Sequence, residues 1–151
     1  MTTTTTLTWL NNPKFTEPHP HQIAAVEEIV EEHKRGKRIV WLDAPTGSGK
    51  TLIGEMVRHE LDCTGLYVCS SKQLQDQFMQ DFKYANVLKG RANYPTERMR
   101  RQFPEINCGD CTGEDKDKED CLWCDSAWSC EYEIAKRNML RGKLGVLNTS
   151  Y

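Results

Sequence analysis

Ala44-Pro45-Thr46-Gly47-Ser48-Gly49-Lys50-Thr51, preceded by the apolar run Ile39-Val40-Trp41-Leu42, sets the fold of this chain. After it, Leu52, Ile53, Met56 and Val57 fall on one face of a helical pattern. Strand, glycine-rich turn and helix, in that order, form the context of a phosphate-binding loop. Gly47 and Gly49 let the backbone curl so that successive amide N–H groups point inward, and the helix N-terminus adds the positive end of its dipole. Thr46, Gly47, Ser48 and Gly49 are therefore the expected cradle for phosphates. Lys50 supplies a mobile positive charge for the outer phosphates, and Thr51 a hydroxyl for Mg²⁺. The usual spacing begins with glycine, and here Ala44 stands in that first position.

The composition is that of a water-exposed α/β protein. With 151 residues, 38% of them hydrophobic and 28% charged, the chain is long enough for one domain with a core. No apolar run approaches eighteen residues, so no membrane span is expected. Met1 and the threonines Thr2 to Thr6 lack the basic and apolar segments of a signal peptide, and residues 1–15 read as a disordered tail. The net charge of −2 hides an uneven distribution. Lys83, Lys89, Arg91, Arg98, Arg100 and Arg101 face a single acid, Glu97. Between Cys108 and Asp125, seven acids outnumber Lys116 and Lys118. A basic strip of this kind is usually solvated surface, but it also steers a phosphate backbone.

In chain order, Pro18-His19-Pro20-His21-Gln22 leads into a helix with Ile23, Val26, Ile29 and Val30 as its buried stripe and Gly36 as its stop. Gln22 carries an amide that both donates to and accepts from an adenine edge, although from position alone a surface glutamine is the simpler reading. The strand Ile39–Leu42, the loop and its helix follow, the helix running to about Leu61. Asp62-Cys63-Thr64-Gly65 makes a turn, and Leu66-Tyr67-Val68-Cys69 a second strand. Strands separated by a helix predict a right-handed parallel β-α-β unit and a doubly wound sheet. Cys63 and Cys69 read as turn and core residues. Ser70, Ser71 and Lys72 stand at the carboxyl end of that strand, where open α/β sheets bind ligands. Their donors suit a phosphate backbone, and a helix cap is the equal alternative. Leu74, Phe78 and Phe82 mark the next helix at four-residue spacing, and Val87 to Pro95 a short strand and turn.

From Thr96 to Cys130 there is little periodic apolar content, so something other than a core must order the segment. Five of the seven cysteines lie there: Cys108-x-x-Cys111, then Cys121-x-x-Cys124, then Cys130. Two C-x-x-C pairs across a short insert, in a chain with no secretion signal, point to a metal rather than to disulfides. On spacing alone tetrahedral Zn²⁺ on Cys108, Cys111, Cys121 and Cys124 is the plain reading. Five cysteines for four positions leave one spare, and spacing does not say which. Beyond Cys130, Tyr132, Ala135 and Met139 share a helix face, Gly142 ends that helix, and Leu144-Gly145-Val146-Leu147 opens another strand. The insert is thus spliced into the sheet domain.

These residues together resemble the first half of the motor region of superfamily 2 DNA helicases of the XPD/DinG type, phage and bacterial relatives in particular, from about Thr16 to Tyr151. Pro20-His21-Gln22 is similar to the adenine-reading Q element, and Ala44 to Thr51 to motif I, where alanine in the first position is usual. Ser70 to Phe78, with Gln77 near its end, resembles motif Ia, which runs along the DNA backbone. Leu88-Lys89-Gly90-Arg91-Ala92-Asn93-Tyr94 resembles the segment that introduces the family's iron–sulfur insert, and Cys130-Glu131-Tyr132-Glu133 the Cys-Pro-Tyr-Glu that closes it, with Glu131 in place of proline.

The resemblance implies a RecA-like α/β domain, parallel sheet with helices on both faces, divided as 16–95, a cysteine-rich insert over 96–130, and a return over 131–151. It implies ATP and Mg²⁺ at Gln22 and residues 46–51, and DNA, single-stranded or forked, at Ser70, Ser71, Lys72, Gln77 and Arg91. It also reverses the zinc preference in favour of a [4Fe–4S] cluster. Thr96 stands where many relatives have their first ligand, so the expected ligands become Cys111, Cys121, Cys124 and Cys130, with Cys108 as the alternative. A cytoplasmic location, in a bacterial cell or phage-infected host, is implied as well. No Asp-Glu-x-His/Asp sequence occurs in the chain. The expectation is therefore an N-terminal fragment that lacks the carboxylate for hydrolysis and the C-terminal motor portion.

Overall fold

Leu7, Leu10, Asn12 and residues 14–96, 105–111 and 128–149 are described by the computed structural model. They belong to two compact units, Met1–Gly65 and Leu66–Tyr151.

The first unit is built on two helices that pack together, α1 (Pro20–Lys34) and α2 (Lys50–Glu60). Proline suits the first position of α1, because an N–H there has no intrahelical acceptor to lose. Glu31 and Glu32 both meet Arg35 at the other end, at 2.6 Å each. Gly36 at φ 90° then turns the chain away, as the sequence predicts. Val26 of α1 and Leu52, Ile53 and Met56 of α2 are buried. Leu7 and Leu10 are buried too, with Leu10 N–H donating to the Leu7 carbonyl at 3.0 Å. Inside α2, the largely buried Arg58 and Glu55 pair at 2.7 Å, and Arg58 also donates to the Cys63 carbonyl at 3.1 Å.

One prediction fails in this unit. Ile39–Leu42 forms no strand, and Trp41 is 92% exposed. An apolar run becomes a strand only where a ladder takes up its N–H and C=O groups. The described residues of the first unit contain no strand to offer one.

The second unit is α/β with a three-stranded parallel sheet, the architecture expected of a RecA-like domain. Its strands are β1 (Gly65–Cys69), β2 (Asn86–Val87) and β3 (Leu144–Asn148), in spatial order β1-β3-β2. Asn86 and Val87 register against Gly145 and Val146. The last strand in sequence is therefore the middle one in space, and its composition follows: Leu144, Gly145, Val146 and Asn148 are all buried. β1 keeps the alternation of an edge, with Leu66 and Val68 exposed. Two helices pack on this sheet, α3 (Lys72–Asp81) on β3 and α4 (Glu131–Arg141) on β2 and β3. Glu131 and Glu133 sit in the first turn of α4, where negative charge complements the dipole.

The buried stripe of α3 also differs from its prediction. Phe78 and Phe82 are buried, stacked in a run with Tyr67 at 4.1 and 4.7 Å between ring centroids, but Leu74 is exposed. Gln75 takes the inner position instead, fully buried. Its Nε2 donates to the Leu88 carbonyl at 3.0 Å and the Val146 carbonyl at 3.3 Å, tying α3 to the sheet. Gln75→Ala removes that donor and leaves a gap. It should cost about 1–3 kcal/mol in urea denaturation, whereas Gln73→Ala on the exposed face of the same helix should be close to neutral.

Candidate functional site

The phosphate loop takes the backbone form its glycines allow. Gly47 and Gly49 have φ of 84° and 81°, left-handed values that L side chains rarely adopt. Ser48 N–H donates to the Pro45 carbonyl at 3.3 Å and closes the turn between them. Gly49 is the N-cap of α2, and its carbonyl accepts the first helical bond from Ile53 at 2.9 Å. The amides of the first turn of α2 have no intrahelical acceptors, and that turn carries no acid to repel an anion. Lys50 reaches back over the loop, its Nζ donating to the Ala44 carbonyl at 2.7 Å and the Pro45 carbonyl at 3.0 Å. Thr51 is half-buried in the same turn. Ser48 Oγ is buried and has no hydrogen-bond partner among the described residues, an orphaned hydroxyl between the two left-handed glycines.

Gln22 is brought to this loop. It is buried, and its Nε2 donates to the Ser48 carbonyl at 3.0 Å while its Oε1 accepts the His19 N–H at 2.9 Å. The predicted base reader thus has its amide engaged with the backbone of the chain. His21, which the sequence marks only as the neighbour of Gln22, lies 3.1 Å from the same Ser48 carbonyl through Nε2.

The predicted nucleic-acid residues lie in the second unit. Ser71 is the N-cap of α3, its hydroxyl accepting from Leu74 N–H at 3.2 Å, so the capping alternative is the one realised. Ser70, Lys72 and Gln77 are exposed. Lys72 Nζ donates to Asn93 Oδ1 at 3.1 Å, which joins the start of α3 to the 3-10 turn Arg91–Asn93. Arg91 lies over the Tyr132 ring at 4.7 Å. Arg98, Arg100 and Arg101 lie outside the described residues.

The cysteine region is described at its two ends. Pro95 bridges Asn107, and Cys108 N–H donates to the Tyr94 carbonyl at 2.8 Å. Leu88, Cys108 and Tyr132 form a buried cluster, with Tyr94, Cys130, Ala135, Met139 and Leu147 packed against it. Cys108 Sγ stands 3.7 Å from Cys130 Sγ, and Cys111 Sγ 3.0 Å from Thr96 Oγ1. Cys121 and Cys124 lie outside the described residues, and no group of three or more metal-binding side chains occurs among the described ones. Glu133, in the segment that follows Cys130, is buried with Oε1 unpartnered among the described residues. Cys69 is a core thiol that donates to the Leu147 carbonyl at 3.1 Å, and Cys63 is exposed in its turn. No helix among the described residues is long and apolar enough to cross a membrane.

Comparison with known proteins places this geometry in context. The family model described as type III restriction enzyme, res subunit, matches residues 15–136, which include the phosphate loop and the cysteine region. UvrABC system protein B of Staphylococcus aureus, strains MSSA476 and MW2, is 40% identical over 67 residues. That stretch is 44% of this chain and 10% of either relative, so the chain matches only a small part of their length. No solved structure matches.

The loop geometry separates its glycines. A Cβ at Gly36 or Gly47 meets nothing within 4 Å, so alanine there costs only the left-handed backbone, roughly 1–2 kcal/mol. A Cβ at Gly49 runs into Gln22 Nε2. Gly49→Ala should therefore lower the thermal midpoint more than Gly36→Ala or Gly47→Ala does in the same scan.

Proposed function

The chain belongs to the family described as type III restriction enzyme, res subunit, and from this we propose that it forms the nucleotide-binding part of a motor that hydrolyses ATP to move along DNA and open duplexes. The observation that carries the proposal is the loop itself: two left-handed glycines, first-turn amides without intrahelical acceptors, and a buried Ser48 hydroxyl with no partner among the described residues. Lys50 would leave the Ala44 and Pro45 carbonyls for the outer phosphates, an exchange eased by the exposure of its side chain. Mg²⁺, when bound, neutralises charge between those phosphates, and Thr51 is the residue of this chain that would hold it. Ser70, Lys72, Gln77 and Arg91 are proposed to meet the DNA backbone, with Ser71 contributing through its cap rather than by contact. The sequence holds no Asp-Glu-x-His/Asp, so residues 1–151 alone are proposed to bind nucleotide without turning it over.

In the complete enzyme, Lys50→Ala should reduce DNA-stimulated ATP hydrolysis at least about 100-fold, the scale of losing one group that stabilises transition-state charge. Unchanged hydrolysis would sink the proposal.

The finer assignment, to the XPD/DinG type with a [4Fe–4S] cluster, rests on the resemblance of Leu88–Tyr94 and Cys130–Glu133. For that assignment the proposed ligands are Cys111, Cys121, Cys124 and Cys130 with Cys108 as the alternative, and the 3.7 Å between Cys108 Sγ and Cys130 Sγ bears on the choice of metal. Thiolates on one tetrahedral ion with bonds of about 2.3 Å stand about 3.8 Å apart, and thiolates on separate irons stand farther apart. That spacing supports a second reading, a zinc-stabilised nucleic-acid-binding module. Protein purified without oxygen should be brown with iron and sulfide for the first reading, and colourless with stoichiometric zinc for the second. Cys108→Ser should lose the metal for the zinc reading, and Cys111→Ser should lose it for the iron–sulfur reading.

A further inference from the structure

The first turn of α1 touches the phosphate loop at one atom, the Ser48 carbonyl oxygen. Gln22 Nε2 reaches it at 3.0 Å and His21 Nε2 at 3.1 Å. A carbonyl only accepts, so both side chains donate, His21 in the tautomer with its proton on Nε2. His19 braces both donors. Its ring stacks on that of His21, with centroids 5.6 Å apart and planes 10° apart, and its N–H holds Gln22 Oε1.

The consequence follows from the planar trans peptide, in which C=O and N–H point in opposite directions. No peptide among the described residues is cis. Holding the Ser48 oxygen toward α1 therefore turns the Gly49 N–H to the opposite side of that peptide. Gly49 starts α2, so its amide belongs to the group that would meet an anion. A Cβ at Gly49 would push the Gln22 amide aside and break its bond to the Ser48 carbonyl. Each end of the Gln22 amide holds one backbone group of this chain, and this fixes the side chain against the loop.

We propose that His21 and Gln22 act together as a positioning element that sets the Ser48–Gly49 peptide, and so serve the phosphates of the bound nucleotide whatever its base. The role rests on the loop being a nucleotide site, and it is new for His21. The positioning is steric and hydrogen-bonded, with no contact between either side chain and the phosphates.

The test compares ATP, GTP and inorganic tripolyphosphate binding to the 151-residue chain by calorimetry. His21→Phe keeps a ring to stack on His19 and removes the donor; Gln22→Ala removes the other. Each should weaken all three ligands by the same factor, roughly fivefold for one hydrogen bond, and His21→Gln should restore part of the loss. The Gly49 amide resonance should move in both variants without any ligand present, while the far-ultraviolet circular dichroism stays unchanged. Loss of ATP binding alone, with GTP and tripolyphosphate unaffected in Gln22→Ala, overturns the proposal and makes Gln22 a base reader. An unmoved Gly49 amide overturns it as well. If the unsubstituted chain binds none of the three ligands, the nucleotide-site reading itself falls, and this role with it.

Discussion

A loop that aims several backbone N–H groups at one anion must turn the matching carbonyls away, and each displaced carbonyl needs a donor. That constraint organises the first unit. The Pro45 carbonyl takes the Ser48 N–H and Lys50, the Ala44 carbonyl takes Lys50, and the Ser48 carbonyl takes His21 and Gln22. The donors come from both flanks of the loop, α2 through Lys50 and α1 through its first turn. Packing α1 against α2 is therefore more than burial of Val26, Leu52, Ile53 and Met56. It delivers two polar side chains to the one carbonyl whose direction decides where the Gly49 N–H points. Lys50 differs from the α1 pair in being expendable: its carbonyl partners lie in an exposed stretch that water can reach, so it can leave for a stronger charge.

The second unit answers a different problem, how to stabilise a small parallel sheet whose central strand arrives last in the chain. β3 is buried along nearly its whole length, and no covalent neighbour helps it find β1 or β2. Gln75 supplies a link from the side. One amide nitrogen holds a carbonyl from β3 and another from the segment just after β2, so helix and sheet are joined through backbone groups as well as by apolar contact. The cost is its own Oε1, buried and unpartnered among the described residues. The two donated bonds and the orphaned acceptor are of similar size, so what the arrangement secures is the register of α3 on the sheet.

What the sequence disclosed follows the range of the interactions involved. Gly36, Gly47 and Gly49 were legible because left-handed backbone is a local demand, and the four helices because their apolar spacing and ends are local too. Ile39–Leu42 was misread because a strand is a property of two chains segments, and the run alone cannot state that its ladder is missing. Leu74 and Gln75 exchanged places for a similar reason: apolarity ranks leucine inside, while the acceptors at Leu88 and Val146 that favour glutamine come from elsewhere in the sequence. His21 was passed over because only the position of the Ser48 carbonyl gives it a task. Cys108 and Cys111 were indistinguishable by spacing; the pairing of Pro95 with Asn107, invisible in the sequence, is what carries Cys108 into the core.

That pairing bears on how the cysteine region is ordered. The composition of residues 96–130 offers little to form a core, yet the described residues at the two ends of that segment are held by ordinary protein contacts. Cys108 N–H meets the Tyr94 carbonyl, the Tyr94 hydroxyl accepts from Lys89 N–H, and Tyr94 meets Tyr132 edge-on at 5.7 Å. Tyr132 lies two residues after Cys130, so the same contacts hold the described residues on both sides of the cysteine region. Closing a long loop is mostly an entropic cost, and here apolar burial and backbone hydrogen bonds offset it before any ligand atom is counted. The Cys108 and Cys130 thiols are therefore brought to 3.7 Å by protein contacts alone.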